Sequence, residues 1–413
     1  MRVHRAWIMM IACCVIMMSL ALQTTCLSLF TKPVSDALGF SRSAFTAYIS
    51  ISGIMLALSM PLWGKLLPRI GIRAMICICG IVTGLCFVLA GRSDSLWQFY
   101  AIGVAYGFVS PGITVFPTAV VINNWFREKR GLAMGIALAF SGVGAAVFSP
   151  WLTWIIDAHS WQYGYMTIGI VSLALTLPVG LFVLRASPEE TGLTPYGAEY
   201  PKDENARKTV DQTGVPMRAA LRSFPFYGVI LSVFLAALAV VSVSQHIPAF
   251  LISRGVPELQ TGAAMSILSI AFMLAKVGFG WLNDRIGALK GILICYAFGF
   301  AGLFLLKAFT GVTIPVFPLI IAACGIPVTT VWPPLLTARM FGQRDYSGIF
   351  AFVQGAAVLG YGLGTPLYGL SYDKTGSYDT MIVIGLVMMP VAAILMVLSF
   401  KGRDKLPIET EAK

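Results

Sequence analysis

Charge is scarce in this 413-residue chain: Asp, Glu, Lys and Arg make up only 11% of it, against about 25% in ordinary soluble domains. Hydrophobic residues make up 57%. No soluble core could bury that much apolar surface, so lipid must solvate it. Acids are scarcer than bases. All eighteen Asp and Glu fall in loops or at helix ends, which argues against a proton-coupled exporter of cationic drugs, whose proton carrier is an intramembrane carboxylate. Paired cysteines are absent too. Cys13, Cys14, Cys26, Cys77, Cys79, Cys86, Cys295 and Cys324 sit in apolar runs without zinc or redox spacing and read as small core hydrophobes. No P-loop, nucleotide fold or metal cluster is present, so the sequence implies no cofactor and no ATP-driven pumping. No His, Asp and Glu constellation falls within the apolar runs, so an enzyme is not expected.

What is present is a series of apolar segments. A membrane-spanning helix needs about 20 mostly apolar residues. Twelve candidates occur, at 7–30, 43–66, 75–91, 97–122, 131–155, 163–185, 225–251, 260–282, 290–309, 313–338, 346–370 and 378–400. The first follows Arg2, His4 and Arg5, but it is too long for the apolar region of a signal peptide and is read as a retained span. The segment 186–222 is polar and contains Pro188, Pro195, Pro201 and Pro216. The expected organisation is a six-helix unit at 1–185, a central loop at 186–222, a second six-helix unit at 223–400 and a tail at 401–413.

The net charge is +11, and its distribution points to a bilayer, not to nucleic acid. With the N-terminus inside, 22 of the 29 Lys and Arg lie on inner segments, Arg2, Lys202, Arg207, Lys208 and Lys413 among them. Lys32, Arg42, Arg92, Arg254, Lys307 and Lys374 lie outside. This is the positive-inside pattern facing anionic lipid, with both termini cytoplasmic. The one base left over is Lys276, in the middle of the run "AFMLAKVGFG".

The halves repeat each other at an offset of 216. "GKLLPRIGIR" at 64–73 matches "GWLNDRIGAL" at 280–289, and Pro111, Thr114, Pro117, Gly144, Pro150, Asp157 and Gly169 recur as Pro327, Thr330, Pro333, Gly360, Pro366, Asp373 and Gly385. Such a duplication, with parallel halves, is one transporter architecture. The proline pairs 111/117 and 327/333 are expected to kink spans 4 and 10.

Twelve spans, a six-plus-six repeat and the loop Gly280-x-Leu282-x-Asp284-Arg285-x-Gly287 resemble the major facilitator superfamily over nearly the whole chain. "NNWFREKRGLAMG" at 123–135 and "PEETGLTPYG" at 188–197 are similar to the oxalate/formate antiporter and monocarboxylate porter branch. The resemblance implies an all-α membrane fold of two pseudo-symmetric six-helix bundles that binds substrate between them and exposes it by rocking. It implies that Gly280, Asp284, Arg285 and Gly287 form a gating latch, with Asp284 against a helix N-terminus and Arg285 holding it. The first-half copy keeps Gly64, Arg69, Gly71 and Arg73 but has Pro68 in place of the acid, so its latching is open. Arg127, Lys129 and Arg130 read as orientation and lipid contacts.

Lys276 is the sharpest candidate. Gly262, Ser266, Ser269, Met273, Lys276 and Gly280 step by 4, 3, 4, 3 and 4, so they share one small, polar helix face. A charge at mid-bilayer costs at least about 2.5–3.5 kcal/mol. Its repeat partner is Met60, so the charge departs from the pseudo-symmetry. The bland alternative is snorkelling to the nearer interface. The resemblance places a substrate-binding cation here in span 8, usually Arg; a lysine meets a carboxylate as a point charge. Relatives that take dicarboxylates have a second base in span 11, where this chain has Val353 and Gln354. One cation suits one carboxylate, such as lactate, pyruvate or formate. Anion exchange needs no titrating group; proton symport has Lys276 itself as a carrier.

Other polar residues in spans are candidate ligands or helix-packing groups. Gln23, Tyr106, Gln245, Trp332, Gln354 and Tyr361 complete the candidate substrate site, with Thr24, Thr25, His246, Thr329 and Thr330 nearby in sequence. His246, at the outer end of span 7, is a gate, an external pH sensor or an interfacial histidine. Expected partners are a small organic anion, the bilayer of the plasma (bacterial inner) membrane, and protons or a counter-anion. Two alternatives stand: a carrier of neutral or larger amphipathic solutes in which Lys276 is structural, and a non-transporting membrane sensor.

Overall fold

The apolar runs are long enough for each to form a helix, which satisfies its backbone within its own segment in lipid even where a proline falls inside it. A computed structural model describes residues 4–198, 213–311, 313–407 and 409–410. Arg2, Pro201, Lys202, Arg207, Lys208 and Lys413 lie outside the described residues. Among the described residues eleven helices are long and apolar enough to cross a membrane, and a bent pair, counted as one span, brings the number to twelve. The chain divides into two units, Met1–Ala198 and Glu199–Lys413.

In the first unit the spans are Arg5–Leu38, Ala44–Ile70, Ile72–Ala90, Leu96–Trp125, Arg130–Ala158 and Trp161–Val183. Span 1 reaches further than the apolar count suggests. After the helix Arg5–Gln23 it tightens into a 3-10 turn, Thr25–Phe30, and continues as Thr31–Leu38 to Gly39. Lys32 and Asp36, which end the apolar run in the sequence, are exposed there. Span 4 breaks where Pro111 removes a backbone donor: Leu96–Val109, then a 3-10 turn Ser110–Ile113, then Val115–Trp125.

In the second unit the spans are Phe224–Ser253, Gln260–Ile286, Ala288–Ala308, the pair Val316–Thr329 and Trp332–Phe341 bent by 46°, Tyr346–Thr375 and Asp379–Lys405. Spans 4 and 10, with their proline pairs, are therefore both interrupted by a 3-10 turn, and span 10 is bent there by 46°. The offset of 216 carries over to whole elements. Arg42–Ile70 maps onto Glu258–Ile286, and the turn Ser110–Ile113 onto Ile326–Thr329, residue for residue.

Packing repeats as well. Spans 1 and 5, 2 and 4, and 3 and 6 pair in the first unit; spans 7 and 11, 8 and 10, and 9 and 12 pair in the second. A Cβ at Gly144 would lie 2.7 Å from the Met18 carbonyl oxygen, and one at Gly360 would lie 2.5 Å from that of Phe234. Both pairs are 216 apart, so one close helix crossing, open only to glycine, occurs twice. Six of the eight cysteines are buried and all are free.

The central segment is more ordered at its described ends than a plain loop. Pro188–Thr191 forms a 3-10 turn, Met217–Ala220 a short helix, and Thr213–Gly214 pairs antiparallel with Glu409–Thr410. Backbone pairing between segments so distant in sequence leaves no periodic trace to read.

Candidate functional site

Span 8 positions Lys276. Its helix runs unbroken from Glu258 to Ile286, so Lys276 lies ten residues before the end, about 15 Å at 1.5 Å per residue. Ile270, Leu274 and Trp281 are exposed apolar side chains and mark the lipid side. Gly262, Ser266 and Ser269 form a second exposed row, small and polar. The row continues through half-buried Met273 to buried Lys276 and Gly280. Lys276 is two residues, about 200°, from Leu274, so it points away from lipid.

The ammonium does not reach for the nearer helix end. Lys276 is only 5% exposed. Its Nζ lies 4.1 Å from the centroid of the Phe272 ring, one turn back towards the middle of the span. Helical side chains lean towards the N-terminus, and the ring face attracts the cation by about 0.5–2 kcal/mol. Phe272 is a neighbour that the sequence reading missed; an aromatic four residues before a lysine was the available signal.

In the same unit, span 8 packs against span 10 and its 3-10 turn. There Gln354 is buried; its Nε2 donates to the Thr329 carbonyl at 3.0 Å, while its Oε1 is buried without a hydrogen-bond partner. Thr330 Oγ1 is likewise buried and unpaired. Trp332 is fully buried, 6.0 Å edge-on from Phe279 and over Gly291, and its Nε1 is buried without a hydrogen-bond partner. Gln245 is exposed and Tyr361 half-buried. His246 is held against span 11: its Nε2 lies 2.8 Å from the Thr365 carbonyl, and its ring stacks on Tyr368.

In the first unit, Gln23 and Tyr106 come together. The Tyr106 hydroxyl donates to the Gln23 carbonyl at 3.2 Å, and Gln23 Nε2 donates to Ser19 Oγ at 3.0 Å. Gln23 Oε1 is buried without a partner.

The two loop motifs turn on the same backbone. Gly71 and Gly287 cap their helices at φ 77° and 83°, a region nearly closed to other residues. Gly64 and Gly280 are buried, and Arg69 is exposed. Arg73 Nε donates to the Leu184 carbonyl at 2.6 Å, tying span 3 to the end of span 6. Asp284 and Arg285 are exposed. Asp284 accepts from Asn283 Nδ2 at 3.3 Å, and the Arg285 guanidinium lies 4.9 Å over Trp281.

The 4–5 loop receives the chain that follows span 6. Tyr196 N donates to the Trp125 carbonyl at 2.8 Å, and the Arg127 and Glu128 amides donate to the Tyr196 carbonyl. Trp125 Nε1 donates to the Arg185 carbonyl at 2.9 Å, and Asn124 Nδ2 to that of Ala186 at 3.0 Å. Lys129, at φ 53°, sits 5.9 Å over the Tyr196 ring. The two stretches that carry the branch resemblance are thus docked on each other. The second unit has a parallel arrangement: the Val215 amide donates to the Phe341 carbonyl, Gln343 N to that of Thr213, and Met217 N to Asp345 Oδ2.

At the opposite end of the second unit, Arg254, one of the bases expected outside, pairs with Asp379 at 2.6 Å.

Comparison with known proteins agrees with this architecture. Mouse (Mus musculus) monocarboxylate transporter 12 is 25% identical over 417 aligned positions, 94% of this chain and 84% of the relative. Monocarboxylate transporter 13 of Bos taurus is 25% identical over 354 positions, 82% of this chain and 76% of the relative. Among solved structures, the transporter FucP in its outward conformation superimposes with a TM-score of 0.71 at 14% identity, over 96% of this chain and 99% of that one. This last likeness speaks for the fold alone. The Major Facilitator Superfamily matches residues 11–354 and again 252–412. The chain is a multi-pass membrane transporter, not an enzyme, and belongs to the major facilitator superfamily.

Proposed function

We propose that this transporter carries a small monocarboxylate, such as lactate, pyruvate or formate, by alternating access, and that Lys276 supplies the main attraction for the carboxylate. The observation that carries the reading is the buried ammonium folded back over Phe272, away from the nearer end of its span. A charge held at that depth is costly, and an anionic substrate offsets the cost. The names of the mouse and bovine relatives lend support. A single cation with neutral Val353 and Gln354 in span 11 favours one carboxylate over two. Gln23, Tyr106, Gln245, Gln354 and Tyr361 remain the polar groups offered to the rest of the substrate. Anion exchange and proton symport are both open to this site. We place the protein in the bacterial inner membrane with both termini cytoplasmic, on the positive-inside pattern. In that orientation the 8–9 loop acts on the cytoplasmic side as a gate through Asp284 and Arg285, and the latching of the 2–3 loop, with Pro68 in place of the acid, is open.

The test is flux of labelled lactate, pyruvate, formate and oxalate into proteoliposomes, wild type beside Lys276→Gln. Runs with and without counter-substrate and a pH gradient separate exchange from symport. Saturable wild-type uptake of a monocarboxylate that collapses in the variant is expected. Equal uptake by both proteins would remove Lys276 from the site. Absence of uptake of all four would overturn the monocarboxylate assignment in favour of neutral or amphipathic solutes.

A further inference from the structure

A cavity of about 830 Å³ lies at one end of the second unit, where the chain enters span 7 and leaves span 12. Arg218, Arg222 and Lys405 line it, together with Phe224, Pro225 and Leu406. Among the described residues no carboxylate lines it, and none of the three bases is paired with one. All three are exposed, so their charge faces the cavity mouth and the solvent at its rim.

The wall is also apolar, and that decides the class of ligand. Phe224 begins a helix on which Phe224, Tyr227 and Leu231 are exposed. Their spacing of three and four puts them in one row. On span 12, which packs against this helix, Val387, Val391, Ile394 and Leu398 form a second exposed row at spacings of 4, 3 and 4. In a membrane protein such rows face acyl chains. The basic cavity therefore sits at the head of two lipid-facing apolar rows, with the aromatic rings of Phe224 and Tyr227 at the level where aromatics anchor the interface. The helix start adds to the attraction. Ser223 caps it without a side-chain hydrogen bond to its amides, since the hydroxyl donates instead to the Ala220 carbonyl at 2.7 Å. The positive end of the helix dipole is thus left towards the cavity.

We propose that this cavity is a binding site for the headgroup of an anionic phospholipid, with the phosphodiester on Arg218, Arg222 and Lys405 and the acyl chains along the two exposed rows. A free phosphate shares the charge but has no use for the apolar rows. The site is independent of Lys276 and of the transported substrate.

The test uses the full chain, purified in detergent and titrated with dioleoyl-phosphatidylglycerol or dioleoyl-phosphatidylcholine, with bound lipid read by native mass spectrometry. Wild type should prefer phosphatidylglycerol. The variant Arg218→Gln/Arg222→Gln/Lys405→Gln should lose that preference by about fivefold per base and on the order of a hundredfold in all. Lys65→Gln/Arg69→Gln, which removes two bases from the first unit, should keep it. Equal loss in both variants would reduce the effect to general surface charge and overturn the site, as would an unchanged preference in the triple variant. Displacement of the lipid by millimolar inorganic phosphate would show a free-anion site instead. Should the triple variant not insert, the charge-preserving Phe224→Ala/Leu231→Ala variant provides a second reading. Weakened phosphatidylglycerol binding supports the lipid site, and unchanged binding counts against it.

Discussion

Met60 and Lys276 occupy one place in a duplicated helix and have opposite chemistry. Around them the two helices agree closely. Exposed Ile54 and Leu58 answer exposed Ile270 and Leu274. Gly64 and Gly280 are both buried, and Gly71 and Gly287 end the helices with the same turn. Met60 is 1% exposed and Lys276 5%. The first unit shows what the position requires for folding: a flexible apolar side chain, adaptable to its surroundings. The second places a charge in the same buried position, which by itself is costly. Burial is common to both copies, so it belongs to the scaffold, while the charge belongs to one copy, as the proposed role in substrate binding expects.

Exchanging the two residues breaks the comparison most directly. Lys276→Met should reduce monocarboxylate kcat/KM on the order of a hundredfold, the scale expected when a buried charge loses its role for an anion, while raising the melting temperature. Flux in proteoliposomes and thermal unfolding in detergent give the two readings; a variant that loses stability along with flux would refute the idea that the lysine serves the ligand and not the fold. The reciprocal change, Met60→Lys, puts a charge into a place with no assigned ligand and should cost at least about 2.5–3.5 kcal/mol, seen as a lower melting temperature and poorer yield.

Substitutions at the shared turn sharpen the comparison from the other side. Gly71→Ala and Gly287→Ala should each cost about 1–3 kcal/mol, because both force a Cβ into a positive-φ, extended-ψ backbone that is nearly glycine-only. The two losses should match in unfolding measurements; a much larger effect on flux at Gly287 alone would show that the intact loop has a gating duty beyond its turn. The smallest effect is expected from Phe272→Leu, which removes only the ring beneath the ammonium. About 0.5–2 kcal/mol of cation attraction is lost, and KM for a monocarboxylate should move a few-fold with little change in kcat. An unchanged KM would mean that the ring is packing only.

Much of this fold is visible in the sequence because lipid imposes a strict code. Twelve apolar runs, two Pro-broken spans and a gapless offset all leave marks in residue order. The direction of Lys276 was legible from the small residues at its helical spacing. Its neighbour across one turn was not singled out, since Phe272 in an apolar run looks like every other lipid-soluble ring. Hydropathy alone ends span 1 short, at Lys32 and Asp36, although helical hydrogen bonding does not stop where hydropathy does. Trp332 is a candidate ligand because an indole in a span offers one donor; its packing over Gly291 is not visible in residue order. The docking of Tyr196 on Trp125 was illegible, since it depends on backbone groups that every residue possesses.

That docking bears on how the halves are joined. The segment between them is bound at its start to the first unit through Trp125 and Arg127, and at its end to the second through Phe341 and Gln343. Each half therefore owns its part of the connector. A gene divided between codons 198 and 213 would encode two polypeptides, each carrying a complete six-span unit with its own clasp already in place. The single chain, on this view, ensures equal supply of two self-finished parts.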